Sequence, residues 1–251
     1  MKKYISSISF FICLVFSMTA QDASDAYKGY PTKAQWEKIW SKDDPSVHED
    51  VMNAMEVPDI LLGKMSTAGF LETCLMYPGN TWAATDPQGN FQRSFRFYVN
   101  RSNAYREFFQ RKDALAVTIA AYKEFDYASS ERYINNYEND AFVEFYTKAC
   151  YLGLILGQPE LVGQMTQEQK KQVVGIGLSK SNSLLTSQIF GGVAQGYIFY
   201  PLISILEGSS YGPLETLKKD SPNVASYHTN ARVQTRQDLE SVLGIAESFV
   251  K

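Results

Sequence analysis

Asp140 and Glu144 stand four residues apart, a spacing that puts two carboxylates on one face of a helix. Glu138 lies just before them, and Tyr133 and Tyr137 are close by. Two carboxylates held at the right separation around a cleft can hydrolyse a glycosidic bond, one as general acid and the other as base or nucleophile. The same acids at a helix start also favour the positive end of the helix dipole without doing any chemistry. Catalysis by Asp140 and Glu144 is therefore the alternative reading, a small carbohydrate-active hydrolase, and the plainer one is a charged helix start.

No other motif supplies a chemistry. His48 and His228 are the only histidines and lie far apart, with His48 beside Glu49 and Asp50 on a solvated helix face. A zinc site needs three or four ligands, and neither His-Glu-x-x-His nor Cys-x-x-Cys occurs, so no metal and no cofactor is expected. There is no Gly-x-Ser-x-Gly nucleophile turn. Gly175-Ile176-Gly177 lacks the third glycine of a dinucleotide loop and sits inside a helical run.

Aromatic residues are the other candidates for function. The chain carries 16 Tyr, 15 Phe and 3 Trp, and flat rings exposed on a surface bind sugars or protein partners at little entropic cost. Tyr77-Pro78-Gly79-Asn80-Thr81-Trp82 is the best placed group, because a helix ends there and the rings fall in a loop. Tyr27 and Tyr30, with Trp36 and Trp40, form a second cluster. Tyr77, Trp82, Tyr27 and Tyr30 are therefore the expected ligand-binding residues. The competing reading makes the same rings core residues that cover helix ends.

Helix signals dominate the elements that must position these side chains. Thr32 with Gln35, Thr166 with Gln169 and Thr235 with Asp238 read as capping boxes. Asp44-Pro45, Ser66, Asp86-Pro87, Asp113 and Asp140 mark further starts. Apolar residues fall on one face at Val47, Val51, Met52 and Met55, at Phe70, Leu71, Cys74 and Leu75, and at Leu239, Val242, Leu243, Ala246 and Phe249. Ile60, Leu61 and Met65 make a buried turn, and Pro78-Gly79 stops the helix that carries Phe70, Leu71, Cys74 and Leu75. Phe91, Phe95, Tyr98 and Val99 fit a helix, although the alternation Phe95, Phe97, Val99 also suits a strand. Phe142 to Leu156 is apolar nearly all round and belongs in the middle of the structure, ended by Gly157 and Pro159.

Hairpin signals are scarce, so the expected fold is all-α: stacked antiparallel helix pairs in a helical-repeat-like superhelix, with an irregular helical bundle as the alternative. Ser181 to Leu206 has no charged residue. Gln195, Pro201 and three glycines make it a buried helix or a broken pair rather than a membrane span.

Residues 1–20 read as a signal peptide: Lys2 and Lys3, an apolar stretch from Ile5 to Phe16, then Ser17-Met18-Thr19-Ala20 before Gln21. Cys13 follows Phe10-Phe11-Ile12 rather than small residues, which disfavours a lipid anchor. A flexible leader at 21–31 and a single all-α domain at 32–251 complete the organisation. The chain holds 24 Lys+Arg against 27 Asp+Glu. With no basic stripe for phosphates, nucleic acid is excluded as a partner. Cys74 and Cys150 are expected as buried thiols, with a bridge between packed helices as the alternative that an oxidising compartment permits.

The run Val57-Pro58-Asp59-Ile60-Leu61-Leu62, then Met65-Ser66-Thr67, Leu71-Glu72-Thr73-Cys74-Leu75-Met76-Tyr77-Pro78 and later Arg111-Lys112-Asp113-Ala114, resembles a group of uncharacterised exported helical proteins of Bacteroidetes-type bacteria. The resemblance covers about the first half of the mature chain and departs from the pattern around Gly191. It implies an exported helical protein and assigns no activity, so no site residue comes with it. The expected function is an exported, soluble helical binding or interaction module, periplasmic or extracellular, with a protein or glycan partner. The carbohydrate-active hydrolase is the alternative, and a membrane-associated envelope component using Ile189 to Leu206 is a third.

Overall fold

The computed structural model describes residues 25–41, 47–78, 91–133, 135, 139–186, 193–227 and 235–251. Outside them lie the signal segment with Cys13, the Asp44-Pro45 and Asp86-Pro87 starts, Gly79, Trp82, Tyr137, Glu138, Ile189 to Gly192 and His228. The side chains of Trp40, His48 and Tyr98 are not described either.

The chain is all-α. Its described residues form fourteen α-helices and one 3-10 segment, with no strand. The first half holds α1 (Lys33–Trp40), α2 (Val47–Ala54), α3 (Asp59–Leu62), α4 (Thr67–Leu75), α5 (Phe91–Arg101), α6 (Asn103–Gln110) and α7 (Ala114–Glu124). The 3-10 segment Tyr127–Tyr133 leads to α8 (Asp140–Leu156), followed by α9 (Pro159–Val162), α10 (Gln167–Thr186) and α11 (Val193–Gly208). Three more close the chain: α12 (Gly212–Asp220), α13 (Pro222–Ala225) and α14 (Arg236–Val250).

Local chemistry sets many of the helix starts. At α1 the Thr32 N–H donates to Gln35 Oε1 at 2.7 Å while the Gln35 N–H donates to Thr32 Oγ1 at 3.4 Å. The Thr166–Gln169 box closes with bonds of 2.9 and 3.2 Å. Thr235 caps α14 through the Asp238 N–H, but the Asp238 carboxylate accepts from the hydroxyls of Thr235 and Ser221 and the Asn223 amide. Asp113 marks the start of α7 as expected. Its side chain does not cap the helix, and its carboxylate accepts instead from the Thr67 hydroxyl of α4 at 2.6 Å.

The core is built on the second half of α8. Ala149 through Leu156 are all buried, and this half packs most extensively on α11, with α4 and α7 against it as well. Burying an aliphatic side chain of this size stabilises by about 1.5–3 kcal/mol, so this short run carries a large share of the folding energy. The first half of α8 is different. Asp140, Val143 and Glu144 stand exposed, so the expectation that the whole helix lies in the middle holds only from Ala149 onward.

Further differences have simple causes. Ile60 is 72 % exposed, because α3 is one turn long and offers inward space only to Leu62, whereas Met65 after it is buried. The Phe91 to Arg101 segment is a helix, so Phe95 and Val99 face inward on a four-residue period and Phe97 stands out beneath the Arg101 guanidinium at 4.2 Å. Of the expected flexible leader, Asp25 to Pro31 is tied down: the Asp25 carboxylate accepts from the Ser66 N–H at 2.6 Å and the Ser66 hydroxyl at 2.9 Å, and the Tyr27 N–H donates to Thr73 Oγ1 at 2.9 Å. Ser66 in turn accepts from the Gly69 N–H, so the start of α4 is capped by two residues at once.

The charge-free stretch forms two helices, α10 ending at Thr186 and α11 starting at Val193, and among the described residues no helix is long and apolar enough to cross a membrane. Gly175 and Gly177 fall within α10. A methyl group on Gly177 would collide with the buried Leu202 side chain of α11, whereas one on Gly175 meets nothing within 4 Å. Both substitutions to Ala gain the same helix propensity, about 1 kcal/mol, so their difference reports packing alone. Gly175→Ala is expected to raise the thermal midpoint. Gly177→Ala should be about 1–3 kcal/mol less stable than Gly175→Ala in denaturant unfolding.

Cys74 and Cys150 are both buried as thiols and do not bridge. Burial pushes the Cys74 thiol well above its usual range and the Cys150 thiol up to about 12. Both are expected to resist alkylation in the native protein and to react fully in guanidinium. Mass spectrometry of the labelled chain distinguishes this from a bridge, which would leave them unlabelled in both states.

Candidate functional site

The half-open α8 creates a cleft. Where α4 runs out at Leu75, the chain passes through Met76, Tyr77 and Pro78 alongside the exposed turns of α8, and Pro31 from the leader closes another side. The α8 wall presents Asp140, Val143, Glu144, Thr147 and Lys148, and the hollow, open on its outer side, measures about 400 Å³, a size that suits a small ligand or a few side chains. Two stretches singled out separately in the sequence, the Tyr77-Pro78 helix end and the Asp140–Glu144 pair, thus border one space.

Asn139 starts the α8 wall by accepting from the Ala141 N–H at 2.8 Å. Lys148 anchors its far end, bridging Glu144 at 2.8 Å and Glu72 of α4. Burial works against the Lys148 ammonium, but its hydrogen bonds to Glu144 and Glu72 outweigh that and hold its pKa above the ordinary lysine value. The bridge ties α4 to α8 across the back of the cleft. Asp140 has no ion pair among the described residues, and Val143 is 51 % exposed between the two acids.

The geometry bears on the acid pair. Asp140 and Glu144 project from one helix and line one wall, and Glu144 is neutralised by Lys148. Glycoside hydrolysis needs carboxylates flanking the scissile bond, so the arrangement offers charge to a ligand more readily than an acid–base pair.

The expected ligand-binding rings are placed differently from expectation. Tyr77 is only 1 % exposed and turns its ring into the core. It stands edge-on to Tyr105 of α6 at 5.6 Å and to Tyr30 at 6.0 Å, and Tyr30 meets Tyr27 at 5.0 Å. Tyr27 and Tyr30 are half-buried, so three of the four rings do come together, but as an inward chain rather than a binding face. The cause is the edge-to-face preference of aromatic rings, which α6 satisfies from inside. Burial raises the Tyr30 phenol above its ordinary range. Trp82, the fourth, lies outside the described residues.

Lys148, Val143 and Met76 were the residues that sequence reasoning missed. A lone lysine in the apolar run Phe142 to Leu156, four residues after Glu144, was the available signal. A second hollow of about 370 Å³ lies beside the α8–α9 turn, between Gly157, Val162 and Gly208, with Lys170, Ser204 and Glu207 at its edge. Glu207 there accepts a salt bridge from Lys218 at 3.0 Å. Among the described residues no three His, Cys, Asp or Glu side chains gather as a metal site.

Comparison with known proteins finds no match: no family model fits the chain, and neither a curated protein nor a solved structure matches it.

The Lys148 bridge gives a pH signature. A raised folded pKa means that its contribution is fully present below the ordinary lysine value of 10.5 and is lost as pH rises through the higher folded value. The stability gap between wild type and Lys148→Met in urea unfolding should therefore be constant from neutral pH upward and close only above 10.5.

Proposed function

We propose that this protein is an exported helical binding module that takes its ligand in the cleft between the end of α4 and the open turns of α8. One observation carries the reading: Val143, an aliphatic side chain half exposed at 51 %, stands between two carboxylates on the wall of a cleft that Pro31, Met76 and Pro78 also line. Apolar side chains grouped on a concave wall give a bound partner surface to cover. Export rests on the charged, apolar and small-residue order of residues 1–20 and on the resemblance to exported helical proteins. The partner class is protein or glycan, met in the periplasm or outside the cell.

The test uses the full mature chain against a glycan array and a random peptide display library, with Val143→Gln as the control that removes the apolar contact without changing charge. Ligands selected on the wild type should lose about tenfold in affinity for Val143→Gln, equivalent to ~1.4 kcal/mol, with the thermal midpoint unchanged. Ligands indifferent to the substitution would overturn the cleft as the binding site. Polysaccharide turnover abolished by Asp140→Ala with Glu144→Ala, the protein remaining folded, would replace binding with hydrolysis.

A further inference from the structure

The cleft's charges and surfaces define its ligand more narrowly. Resting on the binding reading above, we infer that the ligand is an extended peptide segment carrying a lysine or arginine side chain next to an aliphatic one. The α8 wall holds Asp140 and Glu144, and the only cation there, Lys148, is already bonded to Glu144 and Glu72. The lining thus carries two carboxylates against one ammonium, and with Lys148 shared between Glu144 and Glu72 the excess negative charge sits at Asp140.

The helix ends add to this. The last turn of α4 contains no basic residue of its own, so the negative end of its dipole at Leu75 and Met76 is answered only by Lys148 of α8. The positive start of α8 carries Asp140 in its first turn, which offsets it. A cationic side chain laid beside Asp140 meets the one carboxylate of the wall that has no ion pair among the described residues. Beside that position, Val143, Pro31, Pro78 and Met76 offer aliphatic contact for a neighbouring side chain.

A sugar is the weaker fit, because the ring that would stack on it, Tyr77, faces the core. The chain does not supply the cation from its adjoining segment: residues 79–90 contain one acid, Asp86, and no lysine or arginine. A peptide segment of a partner protein is the occupant that this charge and aliphatic lining fit. Complementarity of this kind sets specificity and the rate of encounter, and it is screened by salt.

Fluorescence anisotropy of labelled hexapeptides on the full mature protein tests this. One peptide alternates leucine and arginine, and its counterpart has glutamate in place of each arginine. The arginine peptide should bind at least about tenfold tighter than the glutamate peptide and weaken as salt is raised. Asp140→Asn with Glu144→Gln should remove most of that preference, and Asp140→Lys should shift it towards the glutamate peptide. Both sites are exposed, and a thermal melt checks that each variant is folded.

If both peptides bind equally and Val143→Gln weakens both, the cationic ligand is wrong while the cleft stands. If the peptides bind but ignore Val143→Gln, the cleft itself fails as the site. If neither peptide binds, the peptide inference is overturned.

Discussion

The burial of Ala149 to Leu156 against α11 is the constraint on which the rest of the structure depends. The seventeen residues of α8 span about 25 Å, and the core surrounds only the second half of that length, while in the first half Phe145 and Tyr146 pack on it from one side. The close approach of the neighbouring helices uses glycine at two crossings, Gly157 beneath Tyr200 and Gly177 beneath Leu202, where any β-carbon would collide. At the other end only one face of α8 is packed, and Asp140, Val143 and Glu144 stand on the open one. The cleft is the consequence: its α8 wall is the part of the helix the core does not reach.

Buried tyrosines join helices through their hydroxyls as well as their rings. Tyr105 donates its hydroxyl to the Cys74 carbonyl at the end of α4, and Tyr122 donates to the Ile198 carbonyl one turn before Pro201 in α11. A buried tyrosine fills volume with its ring and satisfies a helix carbonyl with its hydroxyl, which phenylalanine cannot do. The ring chain from Tyr27 through Tyr30 and Tyr77 to Tyr105 also holds the leader against α4. Because Pro31 ends that leader and borders the cleft, the aromatic core fixes one side of the candidate site.

Features decided within a few residues could be read directly. The capping pairs at Thr32 and Thr166 formed as their spacing required, and every apolar residue assigned to the inner face of α14 is buried. Features that depend on a distant neighbour could not. Ile60 has the hydrophobicity of a core residue but sits on a single turn with nothing above it. Asp113 has the character of a helix cap, yet Thr67, 46 residues earlier, takes its carboxylate. Tyr77 looked like an exposed loop ring until α6 placed Tyr105 beside it.

By itself the sequence determined the all-α class, most helix boundaries and the identity of the acidic and helix-end segments, because propensity, capping and periodicity act over one or two turns. Only the tertiary structure decided that Tyr77-Pro78 and Asp140–Glu144 border the same space, that Lys148 is engaged by Glu72, and that the rings point inward. The physical reason is that these depend on which half of α8 the core covers. That is set by the fit of α11 and α4 around it, a sum of contacts between residues distant along the chain that no local pattern records.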